Sequence, residues 1–367
     1  MNDYVVIGGG VIGLLLAREL AAAGATVTIL EQGQCCREAS WAGGGIVSPL
    51  YPWRYSLPVS ALAFQAQQSY PQLVTALRDE TGIDPEFEQT GLLMLDADDE
   101  HQALDWAAET GRNVQKVLSG FINLHEPGLS KRFDRGLWMP EIANIRNPRL
   151  GQALISSLQN NPRVRILERT KVVSLVTHDG SVAHAEILRE GQRDNISAGN
   201  FVVTAGAWSG GLLSDLGIHL PIIPVKGQML LFRPDRKLTS SILLTAGRYL
   251  IPRRDNHLLV GSTLEHTDFD KSTTEEGLSS LYQSAIGLLP ELAEFPVIQQ
   301  WAGLRPGAPQ GIPYIGRVGR WKNLYINAGH YRNGLVLAPA STRLLADLLL
   351  KRKPEIDPSP YDPYIPH

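Results

Sequence analysis

Cysteine is almost missing from this chain: Cys35 and Cys36 are the only two, and they are adjacent. Neighbouring cysteines seldom reach ordinary disulfide geometry without backbone strain, which excludes a disulfide-built scaffold and points to a reducing, cytoplasmic compartment. Long apolar runs are missing too, so no membrane insertion is expected. The apolar segment from Tyr4 to Ala17 has no basic region before it, which speaks against a signal peptide. No charge of one sign dominates: 34 basic and 37 acidic residues are mixed along the chain and leave a formal net charge of −3. With no polybasic run to neutralise phosphates, nucleic acid is not an expected partner and a small molecule is. Repeats and low-complexity blocks are absent, and the proline-rich stretch from Pro354 to Pro366 reads as an extended tail whose plain role is surface packing. His257, His266 and His330 show no zinc-ligand spacing, and Glu265 to Asp270 reads as a solvated loop without the calcium pattern, so no metal is expected. The sequon Asn195-Ile196-Ser197 is irrelevant in that compartment.

What is present is 367 residues, 43% of them apolar, enough for a large core and two domains. Near the start, Tyr4 to Ile7 is a buried-strand run, followed by the turn Gly8-x-Gly10-x-x-Gly13. Val11 to Ala23 then has helical composition closed by Gly24, and Ala25 to Leu30 is a second strand ending in Glu31. Strand, glycine turn, helix and strand in that order predict a Rossmann βαβ unit, whose helix N-terminus, with Val11 and Ile12, meets a pyrophosphate. Glu31, followed by Gln32, is placed to accept hydrogen bonds from ribose hydroxyls. Its charge would repel a 2′-phosphate, which leaves FAD or NAD and excludes NADP.

The stretch from Gln32 to Ile46, rich in small residues, reads as a loop too permissive for a helix. It resembles the second contact segment of the D-amino-acid-oxidase-like flavoproteins, in which Ser40, beside Ala39, would meet the pyrophosphate and Gly44, Gly45 and Ile46 would pass the flavin ring. The resemblance extends to Val202-Val203-Thr204-Ala205-Gly206-Ala207-Trp208-Ser209, to Pro224-Val225-Lys226-Gly227-Gln228, to Trp301 through Gly307 and to Ala328 through Leu337. Taken together these segments are most similar to the glycine oxidases of thiazole biosynthesis. Read from the residues alone, Asn323 to Asn327 is a strand, Gly329 and Gly334 allow a tight turn, and Leu335 to Leu350 has helical composition. The free backbone N–H groups at that helix start would stabilise a reduced flavin anion; an ordinary strand-turn-helix is the plainer alternative.

The resemblance implies non-covalent FAD, because no cysteine follows Arg305 where the sarcosine-oxidase branch attaches its flavin. It implies cofactor contacts at Gly206, His330, Tyr331, Arg332, Asn333, Gly334, Leu335 and Val336. Val172 would hold the adenine, although plain strand packing explains that residue too. Arg305 matches the family's carboxylate-binding arginine, Tyr249 the tyrosine that donates to the same carboxylate, and Arg332 a second arginine near the substrate. A planar guanidinium suits a bidentate carboxylate, and each charge-assisted hydrogen bond contributes about 1.5–3 kcal/mol. Two residues depart from the family: Trp41 stands where a small residue is usual, and Gly247 replaces a polar residue and would widen access for N-alkyl amines.

The expected architecture is α/β: a discontinuous Rossmann-type FAD-binding domain over 1–84, 145–218 and 306–367, with an α+β substrate domain over 85–144 and 219–305. Antiparallel strands are expected at Thr90 to Leu95, Val225 to Phe232, Arg248 to Pro252, His257 to Gly261 and Val297 to Arg305, with a hairpin turn at Arg254-Asp255-Asn256. Asn147-Pro148 reads as an N-cap and first-turn proline, and Thr274 to Leu289 as a helix. The resemblance implies oxidative deamination of glycine, sarcosine or small D-amino acids by hydride transfer to flavin. It gives an imine that hydrolyses to glyoxylate, with O₂ as acceptor and H₂O₂ as product, in a homo-oligomer, a tetramer by resemblance. The alternatives are a D-amino-acid or D-proline dehydrogenase that reduces a quinone, a flavin-dependent tRNA wobble-uridine modifier, and a non-catalytic flavin scaffold.

Overall fold

The computed structural model describes residues 2–365; Met1, Pro366 and His367, at the ends of the expected first domain and tail, lie outside them. Side chains of the first strand alternate between two apolar clusters, Tyr4 and Val6 on one face and Val5 and Ile7 on the other. Burial on both faces is what a central parallel strand requires. This strand, β1 (Asn2–Ile7), pairs in parallel with β2 (Val27–Leu30), and helix α1 (Val11–Ala22) crosses between them. The chain leaves α1 through Gly24 at φ +92°, a left-handed turn that glycine adopts at no steric cost.

Around this unit a six-stranded sheet runs in the order Tyr314–Arg317, Leu324–Ala328, Ala198–Val203, β1, β2, Val164–Leu167. Every neighbouring pair is parallel except the first, whose edge strand is antiparallel. A three-stranded antiparallel sheet, Thr170–His178, Ser181–Arg189 and Gln192–Ile196, contributes Leu175, Val182, Ala185 and Ile187 to one of its apolar faces. Only its first strand was signalled in the sequence.

The second sheet has eight strands in the order Val297–Gly307, Ile223–Phe232, Leu258–Gly261, Arg248–Pro252, Ile242–Thr245, Leu92–Leu95, Arg135–Met139, Gln115–Leu118. It departs from the all-antiparallel expectation at one join, where Ile242–Thr245 runs parallel to Leu92–Leu95. The Arg254-Asp255-Asn256 turn forms as expected, with Asn256 at φ +63° and the Arg253 amide donating to His257 O at 2.9 Å. Strand alternation divides this sheet's two faces. Leu250 faces a cluster backed by Leu281, Ala285 and Leu288 of helix Glu275–Leu288, whereas Tyr249 and Ile251 face the opposite cluster with Met229. That opposite face carries the site.

Three further local expectations are corrected. The 32–46 stretch holds a short helix at Ala39–Ala42. Arg146, not Asn147, is the N-cap of helix Asn147–Gln159, and the Asn147 amide reaches across to donate to Gly43 O at 3.1 Å. The supposed tail folds back, with Tyr361 buried and its hydroxyl donating to Pro58 O at 2.8 Å. Residues 57–81 form a 25-residue helix that ends at Gly82 in the left-handed region.

Candidate active site

A cavity of about 500 Å³ lies between the carboxyl ends of the parallel strands and the Tyr249 face of the second sheet. This is where doubly wound sheets bind ligands, because the strand-to-helix turns leave backbone donors unpaired there. Gly8, at φ +116°, has no room for a side chain: a Cβ would stand 2.5 Å from Thr204 O. The Thr204 hydroxyl holds the turn from below by donating to Gly8 O at 2.9 Å. At Gly10 a Cβ would crowd Ser40 Oγ at 3.1 Å, and that oxygen accepts from the Val11 amide at 2.9 Å. The cradle therefore fits a dinucleotide, with backbone and one hydroxyl where a pyrophosphate would lie.

Glu31 does more than the sequence suggested. One carboxylate oxygen accepts from the Gly9 amide and the other from the Gly33 amide, both at 2.8 Å, so it braces the glycine turn while still lining the cavity. Burial pushes its carboxyl above the usual range and the two amides pull it back. Together with Gly8, Gly10 and Glu31, the lining includes Val11, Ile12, Gln32, Ala39, Ser40, Gly44, Gly45, Ile46, Val172, Gly206, His330, Tyr331, Arg332, Gly334, Leu335 and Val336. Two candidates do not reach it. Gly13 instead lets α1 approach the turn, since a Cβ there would lie 2.0 Å from Gly8 O. Asn333 is buried at the N-terminus of helix Gly334–Leu349.

At the other end, Tyr249 and Arg305 line the same cavity. Among the described residues the Tyr249 hydroxyl has Met229 Sδ alone, at 3.5 Å, as a partner. Arg305 lies on the strand paired with Ile223–Phe232, opposite Val225. Its guanidinium donates from Nη2 to Ser262 Oγ at 2.6 Å and from Nη1 to Lys226 O at 3.2 Å, both neutral acceptors. Burial lowers its pKa, and the nearby Arg332 and Arg248 cations lower it further. Gly227 makes the space: a Cβ there would be 2.2 Å from Arg305 Nη2. Arg332 is exposed on the turn Tyr331–Asn333. His330 is buried and neutral, its pKa pushed down to about 3 by burial, with Nε2 3.1 Å from Ser341 Oγ. That arrangement removes it as a general base near neutral pH.

The two departures take a different meaning here. Trp41 packs against Trp301, ring centroids 5.3 Å apart, and is not part of the cavity lining. Gly247 sits at φ +74° in the turn between Ile242–Thr245 and Arg248–Pro252, its amide on Tyr51 Oη at 2.9 Å, and does not line the cavity either. The stretch 265–270 is not a plain solvated loop. Glu265 and Asp270 pair with the buried Lys226 ammonium at 3.2 and 3.1 Å, and Phe269 stacks on Trp208, centroids 5.4 Å apart, with both rings lining the cavity. Ser262, Met229, Asn147 and Phe269 also line the cavity and were not identified as site residues from the sequence, whereas Thr204, Trp208, Gly227 and Gly303 stood in quoted motifs without a site role. Among the described residues no cluster of His, Cys, Asp and Glu could hold a metal, and no helix is long and apolar enough to cross a membrane.

Residues 3–348 match the family described as FAD dependent oxidoreductase, DAO. A glycine oxidase of Pseudomonas aeruginosa is 52% identical over 359 residues, covering 98% of both chains. A bifunctional protein ThiO/ThiG of Trichormus variabilis is 31% identical over 96% of this chain and 53% of its own length. Among solved structures, a glycine oxidase from Geobacillus kaustophilus superimposes with a TM-score of 0.90 at 28% identity, covering 98% of each chain. The glycine cradle, the acidic residue at the end of β2 and the near-complete match in length agree, and the chain belongs to the DAO family of FAD-dependent oxidoreductases.

Proposed function

We propose that the chain is a glycine oxidase that deaminates glycine and other small amines, sarcosine and small D-amino acids among them. The observation that carries this reading is the state of Arg305: a partly buried guanidinium whose hydrogen-bond partners among the described residues are all neutral, in a cavity it shares with Tyr249. A partly desolvated cation that faces a cavity without an anionic partner is a strong site for a carboxylate. The Tyr249 hydroxyl can exchange its long contact with Met229 Sδ for a bond to the same carboxylate, and Arg332 adds positive charge at the cavity wall. Gly44 narrows the ring-side wall, since a Cβ there would stand 2.9 Å from both Tyr249 and Ile251, which leaves room for a small substrate. Carboxylate capture orients the Cα–H and the neutral amine of such a substrate, and the flanking apolar side chains of Met229 and Ile46 exclude water. FAD held non-covalently by the Gly8–Gly10 turn, Ser40 and Glu31 would supply a two-electron acceptor for oxidation of the amine to an imine, with O₂ as the final acceptor and H₂O₂ as its product. The imine leaves as glyoxylate and ammonia after hydrolysis, or passes intact to thiazole synthesis for thiamine, a role supported by the ThiO/ThiG relative. A cytoplasmic homo-oligomer, a tetramer by family resemblance, belongs to the same proposal, as do the domain boundaries and site roles given above.

The test is anaerobic bleaching of the oxidised-flavin band with glycine, sarcosine, D-alanine and D-proline in parallel, followed by air and a peroxide assay. Bleaching by glycine with peroxide on reoxidation is the expected result. Bleaching confined to the bulkier D-amino acids, or no peroxide while a quinone is reduced, would replace the proposal with a D-amino-acid dehydrogenase.

A further inference from the structure

An arginine that binds a carboxylate must be aimed as well as charged. The guanidinium of Arg305 has five N–H donors in one plane. One is fixed by Lys226 O at 3.2 Å and one by Ser262 Oγ at 2.6 Å. Three donors remain for a carboxylate, and the direction in which they face is set by those two acceptors. Gly227, lacking a Cβ, lets the guanidinium lie against its backbone, where a Cβ would stand 2.2 Å from Nη2 and 2.4 Å from Cζ. Both acceptors are themselves anchored. Lys226 is buried and its ammonium is held by Glu265 and Asp270. Ser262 is buried, its carbonyl accepts from Arg248 Nη1, and Arg248 Nη2 donates to Ser280 Oγ on helix Glu275–Leu288 at 3.2 Å. A continuous chain of hydrogen bonds thus runs from that helix through Arg248 and Ser262 to the substrate-facing guanidinium.

We propose that Ser262 is the positioning residue for Arg305, its hydroxyl setting the plane in which the carboxylate is received; this rests on the carboxylate-binding reading of Arg305. Of the two acceptors it is the one supplied by a side chain, and therefore the one the sequence can change without altering the sheet.

The probe is acetate, a carboxylate without an amine, titrated into the FAD-loaded protein with flavin absorbance as the readout. Ser262→Ala is expected to weaken acetate about tenfold to a hundredfold, the worth of one charge-assisted hydrogen bond, with FAD content unchanged. Ser262→Thr, which keeps the hydroxyl, should stay closer to wild type. In an Arg305→Ala background the same Ser262→Ala change should cost less than about twofold, because the group it orients is gone. Acetate binding within twofold of wild type in Ser262→Ala, or an equal loss in both backgrounds, would overturn the proposal. If Ser262→Ala does not retain FAD, Ser262→Cys, similar in size and a weaker hydrogen-bonding partner, carries the same comparison. Glycine bleaching of the wild type is run alongside: its failure removes glycine as substrate, while the acetate result still decides the role of Ser262.

Discussion

Two residues at opposite ends of the cavity set the tightest limits on what it can hold. Arg305 is expected to contribute through at least two charge-assisted hydrogen bonds at about 1.5–3 kcal/mol each, so Arg305→Ala should lower kcat/KM for glycine roughly a hundredfold to ten-thousandfold. FAD affinity should be unaffected, since no residue of the glycine cradle touches that side chain; steady-state kinetics and flavin content on one preparation check both. Glu31 predicts the reverse pattern. Its two oxygens hold the Gly9 and Gly33 amides, and Glu31→Gln places an amide N–H against one of them. Loss of one such bond should weaken FAD about tenfold or more, read by titrating apoprotein with FAD, whereas the substrate end of the cavity keeps its geometry. Equal FAD affinity in Glu31→Gln would mean that the turn is held by Thr204 and packing alone.

At the scale of elements, β1, α1 and β2 were legible because every determinant is local: strand, glycine turn, helix and acidic end lie within a few dozen residues. The Asp255-Asn256 hairpin was legible for the same reason. What was not legible depends on distant partners. Asn147 has the composition of an N-cap, yet its amide is taken by Gly43 more than a hundred positions away. The parallel join of Ile242–Thr245 to Leu92–Leu95 has no sequence mark, since parallel and antiparallel buried strands read alike. Trp41 and Gly247 were weighed by size, but their directions, toward Trp301 and into a turn, come from the fold. His330 shows how an element imposes chemistry. Helix Gly334–Leu349 offers Ser341 to its ring and buries it, so the folded protein resists its protonation down to about pH 3 while the unfolded chain accepts a proton near 6.5. Because the unfolded state binds more protons in that window, this stability is fully present above pH 6.5 and is lost as pH falls toward 3, by about 1.4 kcal/mol per pH unit. Urea midpoints of the holoprotein between pH 7.5 and pH 5 should therefore fall more steeply in wild type than in His330→Gln; parallel slopes would show that the ring is protonated in the fold.

For the molecule as a whole, the cavity exists only if the two large sheets keep their separation, and contacts of several kinds span it. Lys271 pairs with Glu38 at 2.7 Å on the surface, where an ion pair contributes at most about 1 kcal/mol. Phe269 stacks on Trp208, and Trp301 Nε1 donates to Ala42 O at 3.1 Å, both only partly sheltered from water. Arg253 differs in kind. It is buried between the sheets and donates to Gly44 O at 2.7 Å, to Asn144 Oδ1 at 2.7 Å and to Ile145 O at 3.1 Å, so one side chain ties the second sheet to the loop that would lie along the flavin. Burial, with Arg146 nearby, lowers its pKa to about 10, still well above neutrality, so the charge persists and each acceptor depends on it. Arg253→Met keeps much of the volume and strands those acceptors, at about 1–3 kcal/mol for each one that water cannot reach. It should lower the urea midpoint and speed FAD release together, while Lys271→Ala shifts the midpoint by less than about 1 kcal/mol. If the two variants proved equally mild, the sheets would be held apart by apolar packing, and the buried guanidinium would be dispensable to the cavity.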